Sequence, residues 1–182
     1  MDLFKYTAHE LHEKLVNKEI TAVELTNAVY DRIAAVDEQV NAYISLSKEE
    51  ALAKAAEVDA KIAAGEAIAP LAGIPVVFKD NINIYGQVTS CASKMLQGVE
   101  TVFDAHVTEE LRKEDAVFLG KANMAEFSIG NTTDNSFNGA VHNPWNLNCT
   151  TGGCATAAAV AAGEAIWALA SDTSGDLRQP AA

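Results

Sequence analysis

The first third of the chain carries apolar residues at helical spacing behind recurring start signals. A hydroxyl residue is followed three positions later by glutamate at Thr7, Thr21 and Ser47, which is the pattern of a helix capping box. The apolar positions after Thr21 share one helical face and are Leu25, Val29, Ile33 and Val36. The third segment is rich in alanine and ends at Gly65, a residue type that favours helix termination. The pattern predicts three helices within residues 1–66.

Short apolar runs replace this spacing beyond residue 66. Residues 73–78 are mostly β-branched or aromatic and begin with a glycine and, two positions later, a proline, so they predict a buried strand. Residues 116–120 and 165–171 predict two more strands, residues 107–114 a short helix, and residues 42–46 a short strand or extended link. This alternation is typical of an α/β sheet covered by helices. Because no repeat or linker interrupts it, we expect a single domain over residues 1–182.

Composition and charge narrow the class of protein. Hydrophobic residues make up 49% and charged residues 21% of the 182 positions, which excludes a wholly disordered chain. No apolar run is long enough to predict a membrane span, and the first residues lack the pattern of a signal peptide. The 13 basic and 25 acidic side chains give a net charge of −12, so we expect this chain alone to bind nucleic acid poorly. Its cysteines, Cys91, Cys149 and Cys154, lack zinc-site spacing and suit a reducing, cytoplasmic location.

Lys79 is the first candidate for chemistry. It closes the apolar run 73–78 and is followed by Asp80 and Asn81. The end of a strand is where α/β proteins place reactive groups, and a partly desolvated lysine is a good proton acceptor because burial disfavours its charged form. The alternatives are a surface lysine and an ion pair with Asp80.

Two polar segments are the other candidates. Residues 131–151 predict a long loop, and such loops are usually functional. Residues 150–156 then bring glycine and hydroxyl residues to the start of a small-residue helix, where backbone amides can face an anion; a plain helix-start turn is the alternative. Residues 171–180 predict a tight polar turn whose successive amides can make an oxyanion hole. An ordinary turn closed by an Asp–Arg pair is the alternative there.

The order of the motifs along the chain is more specific than any one of them. The motifs occupy residues 73–81, 91–94, 120–127, 143–146, 150–156 and 171–180. Together they resemble the amidase signature family, and within it the glutaminase subunits of tRNA-dependent amidotransferases. The resemblance covers the chain but only the N-terminal part of a family member. It implies an incomplete amidase signature fold, with a helical portion over residues 1–66 and part of a mixed β-sheet with the signature loops over residues 67–182.

The resemblance also implies a Ser–cis-Ser–Lys catalytic triad. Lys79 matches the family lysine, which acts as the base. Cys154 falls on the bridging serine, in a segment two residues shorter than the family pattern, and Asp176 stands where the nucleophilic serine belongs. The oxyanion loop corresponds to Thr173, Ser174 and Gly175, with Ser174 replacing a glycine. Lys79, Cys154 and Asp176 are therefore the predicted catalytic positions.

These departures predict an impaired site. An aspartate beside Lys79 would be ionised and paired with the ammonium group, which removes the base. The alternative is that Cys154 supplies a nucleophile in place of the serine. We expect Lys79, Cys154 and Asp176 to converge, with a charge-assisted contact between Lys79 and Asp176.

By resemblance, the function is that of the glutaminase component that supplies ammonia to convert Glu-tRNA(Gln) to Gln-tRNA(Gln). Glutamine would be its substrate, and the amidotransferase B and C subunits its partners. ATP and Mg²⁺ are expected on the partner subunit, tRNA is expected to bind only through that subunit, and no cofactor, metal or membrane is expected for this chain. One alternative is a non-catalytic truncated paralogue or fragment acting only in subunit binding. Another is a free-standing small amidase.

Overall fold

The computed structural model describes residues 2–182. Its helices are α1 (Ala8–Val16), α2 (Ala22–Val40), α3 (Lys48–Ala63), α4 (His106–Lys113), α5 (Thr156–Ala162) and α6 (Arg178–Ala181). Its strands are β1 (Tyr43–Leu46), β2 (Pro75–Lys79), β3 (Val117–Ala122), β4 (His142–Asn143), β5 (Asn146–Thr150) and β6 (Trp167–Leu169). Within residues 2–182, no helix combines the length and apolar character needed to cross a membrane.

The predicted helix starts are confirmed, but one of the three predicted capping boxes is wrong. The hydroxyls of Thr7 and Thr21 each accept a hydrogen bond from the backbone N–H of the glutamate three residues later. The side chain of that glutamate accepts one from the backbone N–H of the threonine, so α1 and α2 begin with complete capping boxes. Ser47 makes no such bond at the start of α3. Its hydroxyl instead accepts a hydrogen bond of 2.9 Å from Nε2 of Gln87. A tertiary partner 40 residues away has replaced the local cap.

The sheet is mixed, as the fold class predicted. Its order is β1-β3-β2-β6. Strands β2 and β3 are parallel, β2 and β6 are parallel, and β1 lies antiparallel to β3. Every residue of β2 and β3 is buried, which agrees with their continuous apolar runs.

Both faces of the sheet are covered. On one face, Val77 and Leu119 join a large core with α1, α2, α3 and α5. On the other, Val76 and Phe78 pack with Phe118 in a smaller cluster. Successive residues of β2 thus point to opposite faces, and the helical portion shares one core with the sheet. The central strand β2 thereby carries Lys79 to the sheet's carboxyl edge.

Residues 131–151 are not wholly a loop. They contain β4 and β5, which pair antiparallel as a hairpin. The residues of β5 are exposed, and asparagine is depleted in strands, so no alternation of buried and exposed positions signalled it. The short helix α6 lies at the end of the segment 171–180, which predicted only a turn. Both elements lack the apolar pattern on which the prediction depended.

Candidate active site

Lys79 and Asp176 meet at the carboxyl edge of the sheet. Lys79 is the last residue of β2, and Asp176 lies in the turn after β6. Both side chains are fully buried, and Nζ of Lys79 lies 2.6 Å from Oδ2 of Asp176. The expected contact between these two residues is therefore present. The parallel pairing of β2 with β6 explains it, because parallel neighbours end at the same edge.

The ammonium group of Lys79 is fully occupied. Besides Asp176, it donates to the carbonyl oxygen of Ser171 at 3.0 Å and to the Ser171 hydroxyl at 3.4 Å. A lysine has three donors and no acceptor, and each finds an oxygen here. No hydrogen bond connects Lys79 to Cys154, so the relay from lysine to bridging residue that the resemblance implied is missing from this arrangement.

The Asp176 carboxylate is held as an anion. Its Oδ1 accepts a hydrogen bond of 2.9 Å from the backbone N–H of Thr173. Burial raises the pKa of Asp176, but the hydrogen bonds from Lys79 and from the backbone of Thr173 outweigh it, so the pKa lies below its ordinary value. The Asp176 carboxylate and the Lys79 ammonium group therefore form a charge-assisted contact with no exposed side-chain surface.

Two of the three amides predicted for an oxyanion hole already have acceptors within the chain. The amide of Thr173 donates to Oδ1 of Asp176 at 2.9 Å. That of Gly175 donates to Oδ1 of Asp172 at 2.6 Å. Carboxylates of this chain thus take the place that a reacting oxygen would need.

The Asp–Arg closure that the sequence offered as an alternative for this turn is also present. Nε of Arg178 donates to Oδ2 of Asp172 at 3.0 Å. The hydrogen bonds from the Arg178 side chain and backbone hold the pKa of Asp172 well below its ordinary range. Asp172 accepts further amides at the start of α6, so it organises the turn whether or not Asp176 carries a carboxylate.

Cys154 is a buried thiol beside this pair. Its Sγ lies 2.9 Å from Oγ1 of Thr156. Burial raises the pKa of Cys154 although its bonds to Thr156 oppose the rise, so the thiol form prevails near neutral pH. All peptide bonds in residues 2–182 are trans, and the cis linkage that the resemblance implied at the bridging position is absent from that part of the chain. Cys154 therefore lacks the features of a relay or an activated nucleophile.

Gly153 is what brings this segment against the pair. A methyl group on Gly153 would lie 2.7 Å from Cβ of Asp176 and 2.8 Å from the carbonyl oxygen of Gly130. Real side chains do not approach so closely, so only glycine fits here. The glycine-rich segment thus forms a wall of the site at Asp176.

Three polar residues outside the predicted set support Lys79. Nδ2 of Asn81 donates to the Ser171 hydroxyl at 2.8 Å and lies 3.3 Å from that of Ser128. Asn81 and Ser171 lie in motifs that the sequence analysis singled out. Their residue types alone did not indicate that they would support Lys79. Ser128 had no signal, because its position depends on a turn in which Phe127 has a φ of 51°.

The alternative pairing of Lys79 with Asp80 is wrong. Asp80 faces a second buried lysine, Lys121, with 3.5 Å between Oδ1 and Nζ. Lys121 donates to the carbonyl of Ile82 at 2.6 Å and to the hydroxyl of Thr89 at 3.0 Å. Burial lowers the pKa of Lys121, and Asp80 opposes that shift. The contacts of Asp80 and Lys121 hold the loop after β2 in place. Lys79 is therefore free to pair with Asp176.

Comparison with known proteins places the chain in a family. A family model described as Amidase matches residues 24–182. The chain is 51% identical to the A subunit of the glutamyl-tRNA(Gln) amidotransferase of Desulforamulus reducens over 184 aligned positions, covering 100% of this chain and 38% of that relative.

Solved structures agree with that match. The crystal structure of the A subunit of the glutamyl-tRNA(Gln) amidotransferase from Thermotoga maritima superposes with a TM-score of 0.80 at 35% identity, over 100% of this chain and 37% of that one. The native peptide amidase from Stenotrophomonas maltophilia gives a TM-score of 0.89 at 34% identity, over 97% and 38%. This chain thus spans well under half the length of its relatives. It belongs to the amidase signature family.

Proposed function

We propose that this chain is part of the glutaminase subunit of a tRNA-dependent amidotransferase, and that in its present sequence the site does not hydrolyse glutamine. The observation that carries the proposal is the buried contact of 2.6 Å between Nζ of Lys79 and Oδ2 of Asp176. The 51% identity to the A subunit of an amidotransferase supports assigning this chain to the amidotransferase branch of the family.

Amide hydrolysis of this kind needs a nucleophile that loses a proton to a neutral base as it attacks. An ionised Asp176 has no proton to give, and its Oδ2 already accepts a hydrogen bond from Nζ of Lys79. Two of the three amides that would stabilise the developing oxyanion, those of Thr173 and Gly175, are bonded to Asp176 and Asp172. Cys154 is a buried thiol whose hydrogen-bond partner is the hydroxyl of Thr156, which is not a base. Each requirement of the reaction is thus unmet at the residue expected to fulfil it.

The assembly is part of the same proposal. Glutamine would be the substrate of the intact site, and the amidotransferase B and C subunits would be its partners. ATP, Mg²⁺ and the tRNA would bind to the partner subunit, since a chain with a net charge of −12 repels phosphates. The three free cysteines fit a cytoplasmic location.

A second candidate is a non-catalytic role in subunit binding alone. Several large apolar side chains are mostly exposed, among them Trp145 at 84%, Met95 at 82% and Val102 at 80%. Exposed apolar surface of this kind marks interaction sites. This candidate predicts binding to partner subunits with no measurable turnover in any sequence context, whereas the first predicts that a repaired site turns over.

The test is release of glutamate and ammonia from glutamine with the partner subunits present. We expect the unmodified chain to match its Lys79→Met variant at background. Asp176→Ser alone is expected to stay at background, because it repairs only the nucleophile. Restoring the segment Gly-Gly-Ser-Ser-Gly-Gly-Ser together with Ser at position 176, in a protein of full family length, is expected to restore turnover.

Two outcomes would contradict the proposal. Turnover by the unmodified chain that disappears in Lys79→Met would show that Cys154 or Asp176 is competent. Failure of the fully repaired protein, with binding to the partners intact, would favour the purely binding role.

A further inference from the structure

The carboxylate of Asp176 lies in a socket built by other residues. Oδ2 receives the ammonium group of Lys79 at 2.6 Å, and Oδ1 receives the amide N–H of Thr173 at 2.9 Å, with the Thr173 hydroxyl at 3.4 Å. Charge-assisted bonds of this length are the strong ones. A cation on one oxygen and an amide on the other is an arrangement that suits one monovalent carboxylate.

The donors of this socket are held by contacts that do not involve Asp176. The backbone carbonyl of Ser171 fixes Lys79, and Asn81 in turn fixes the Ser171 hydroxyl. The Thr173 hydroxyl also reaches the carbonyl of Ser128 at 3.2 Å. Asp172 independently binds the amides of the turn that follows. The frame is therefore expected to persist when the Asp176 carboxylate is removed.

The socket is also closed. Asp176 and Lys79 have no exposed side-chain surface, and Gly153 lies so close to Cβ of Asp176 that even a methyl group there would collide with it. The space available in the socket is thus about the size of the Asp176 side chain itself. A closed, polar, positively charged space of that size selects small anions over large ones.

We propose that this socket is a binding site for a small monocarboxylate anion of the size of formate or acetate, and that the Asp176 side chain is its built-in occupant. In the unmodified chain the occupant excludes external anions. Removing it opens a site whose preferred anion is the one that replaces the missing atoms. The inference rests on the geometry around Asp176 and does not depend on the proposed function.

The experiment matches the size of the anion to the size of the deletion. Asp176→Ala lacks the atoms of a formate ion, and Asp176→Gly lacks those of an acetate ion. Equilibrium denaturation is measured at pH 7 with 0–50 mM sodium formate or acetate. We expect formate to stabilise Asp176→Ala more than acetate does, and acetate to stabilise Asp176→Gly more than formate does.

The size of the effect is bounded. An anion of three heavy atoms binds no tighter than about 0.5 mM, so 50 mM formate raises the apparent folding constant of Asp176→Ala by at most about 100-fold. A dissociation constant of about 12 mM would still give a rise of about fivefold.

Three controls separate the socket from general salt effects. The unmodified chain should not respond, because its socket is filled. Asp176→Asn should fold and also not respond, since its amide fills the same space. The double variant Lys79→Met with Asp176→Ala should not respond, because it lacks the cation.

The proposal is overturned if formate and acetate act equally on both single variants, if the double variant responds as strongly as Asp176→Ala, or if neither single variant responds. Failure of Asp176→Ala and Asp176→Gly to fold at any anion concentration, while Asp176→Asn folds, would also overturn it, because ligand binding to the native state must favour folding.

Discussion

Replacing Glu164 by glutamine is expected to stabilise the protein increasingly as the pH rises from 5 to 8. Glu164 lies between α5 and β6, and its side chain is fully buried. Neither of its carboxyl oxygens has a hydrogen-bond partner among residues 2–182. A buried carboxyl without partners strongly prefers its neutral form. Its charge state is therefore coupled to folding.

Three charged or titratable groups surround it. Burial is the main cause that raises the pKa of Glu164 to about 8; nearby Asp37 adds to the rise, and Arg32 opposes it. Tyr43 also lies close enough for Glu164 to raise its pKa further, although burial is the main cause of that shift. Burial raises the pKa of Asp37 as well, against the hydrogen bonds from Ala42 and Tyr43. These neighbours are the same in both variants, so their own titration largely cancels in the comparison.

The sign and size of this change in stability follow from the pKa of Glu164 in the folded and in the unfolded chain. The folded chain keeps the proton up to about pH 8, whereas the unfolded chain loses it near 4.5. The contribution of this proton to the free energy of unfolding is fully present below pH 4.5. It is lost progressively between pH 4.5 and 8. The difference of 8 − 4.5 = 3.5 units corresponds to about 5 kcal/mol in total. About 3.5 kcal/mol of that is lost between pH 5 and 8.

Glutamine has nearly the same shape but no charge to lose, so Glu164→Gln should remove this slope. The measurement is urea unfolding of both proteins at pH 5, 6, 7 and 8, with the free energy of unfolding extrapolated to water. The Glu66→Gln variant makes the same substitution at an exposed position and should keep the pH dependence of the unmodified chain. A difference between Glu164→Gln and the unmodified chain that changes by less than about 1 kcal/mol over this range would refute the reasoning.

Three further predictions concern stability and are checked by the same denaturation measurements. Lys79→Met leaves the carboxylate of Asp176 buried and unpaired, so it should cost about 3–5 kcal/mol, while adding Asp176→Leu to it should recover most of that loss; equal losses in the single and double variants would contradict the ion pair. Gly153→Ala forces a methyl group against Asp176 and should cost about 1–3 kcal/mol, and an unchanged midpoint would show that the glycine-rich segment does not wall the site. Thr21→Ala should cost about 1 kcal/mol by removing a helix cap, whereas Ser47→Ala should cost less, because Ser47 caps nothing; the reverse order would contradict the assigned caps.

Elements whose signals are local could be predicted from the order of residues. The capping boxes at Thr7 and Thr21 and the buried run of β2 depend on a few neighbouring residues, and the structure follows them. The meeting of Lys79 and Asp176 was also foreseeable, because each stands at a recognisable motif position of the family. Such features depend on residue type and spacing, which a sequence displays directly.

The partner that each polar group finds could not be predicted in this way. Ser47 bonds to Gln87 and caps no helix, and Asp80 pairs with Lys121. Two of the three amides predicted for an oxyanion hole bond to carboxylates of the same turn. The burial of Glu164 near Arg32 and Asp37 of α2 likewise depends on packing between segments far apart in the chain. A buried donor or acceptor must be satisfied by whatever group the packing brings within about 3 Å, and that group is often tens of residues away in the chain. The elements of this fold are therefore encoded locally, while the charge state and occupancy of its site are set by packing.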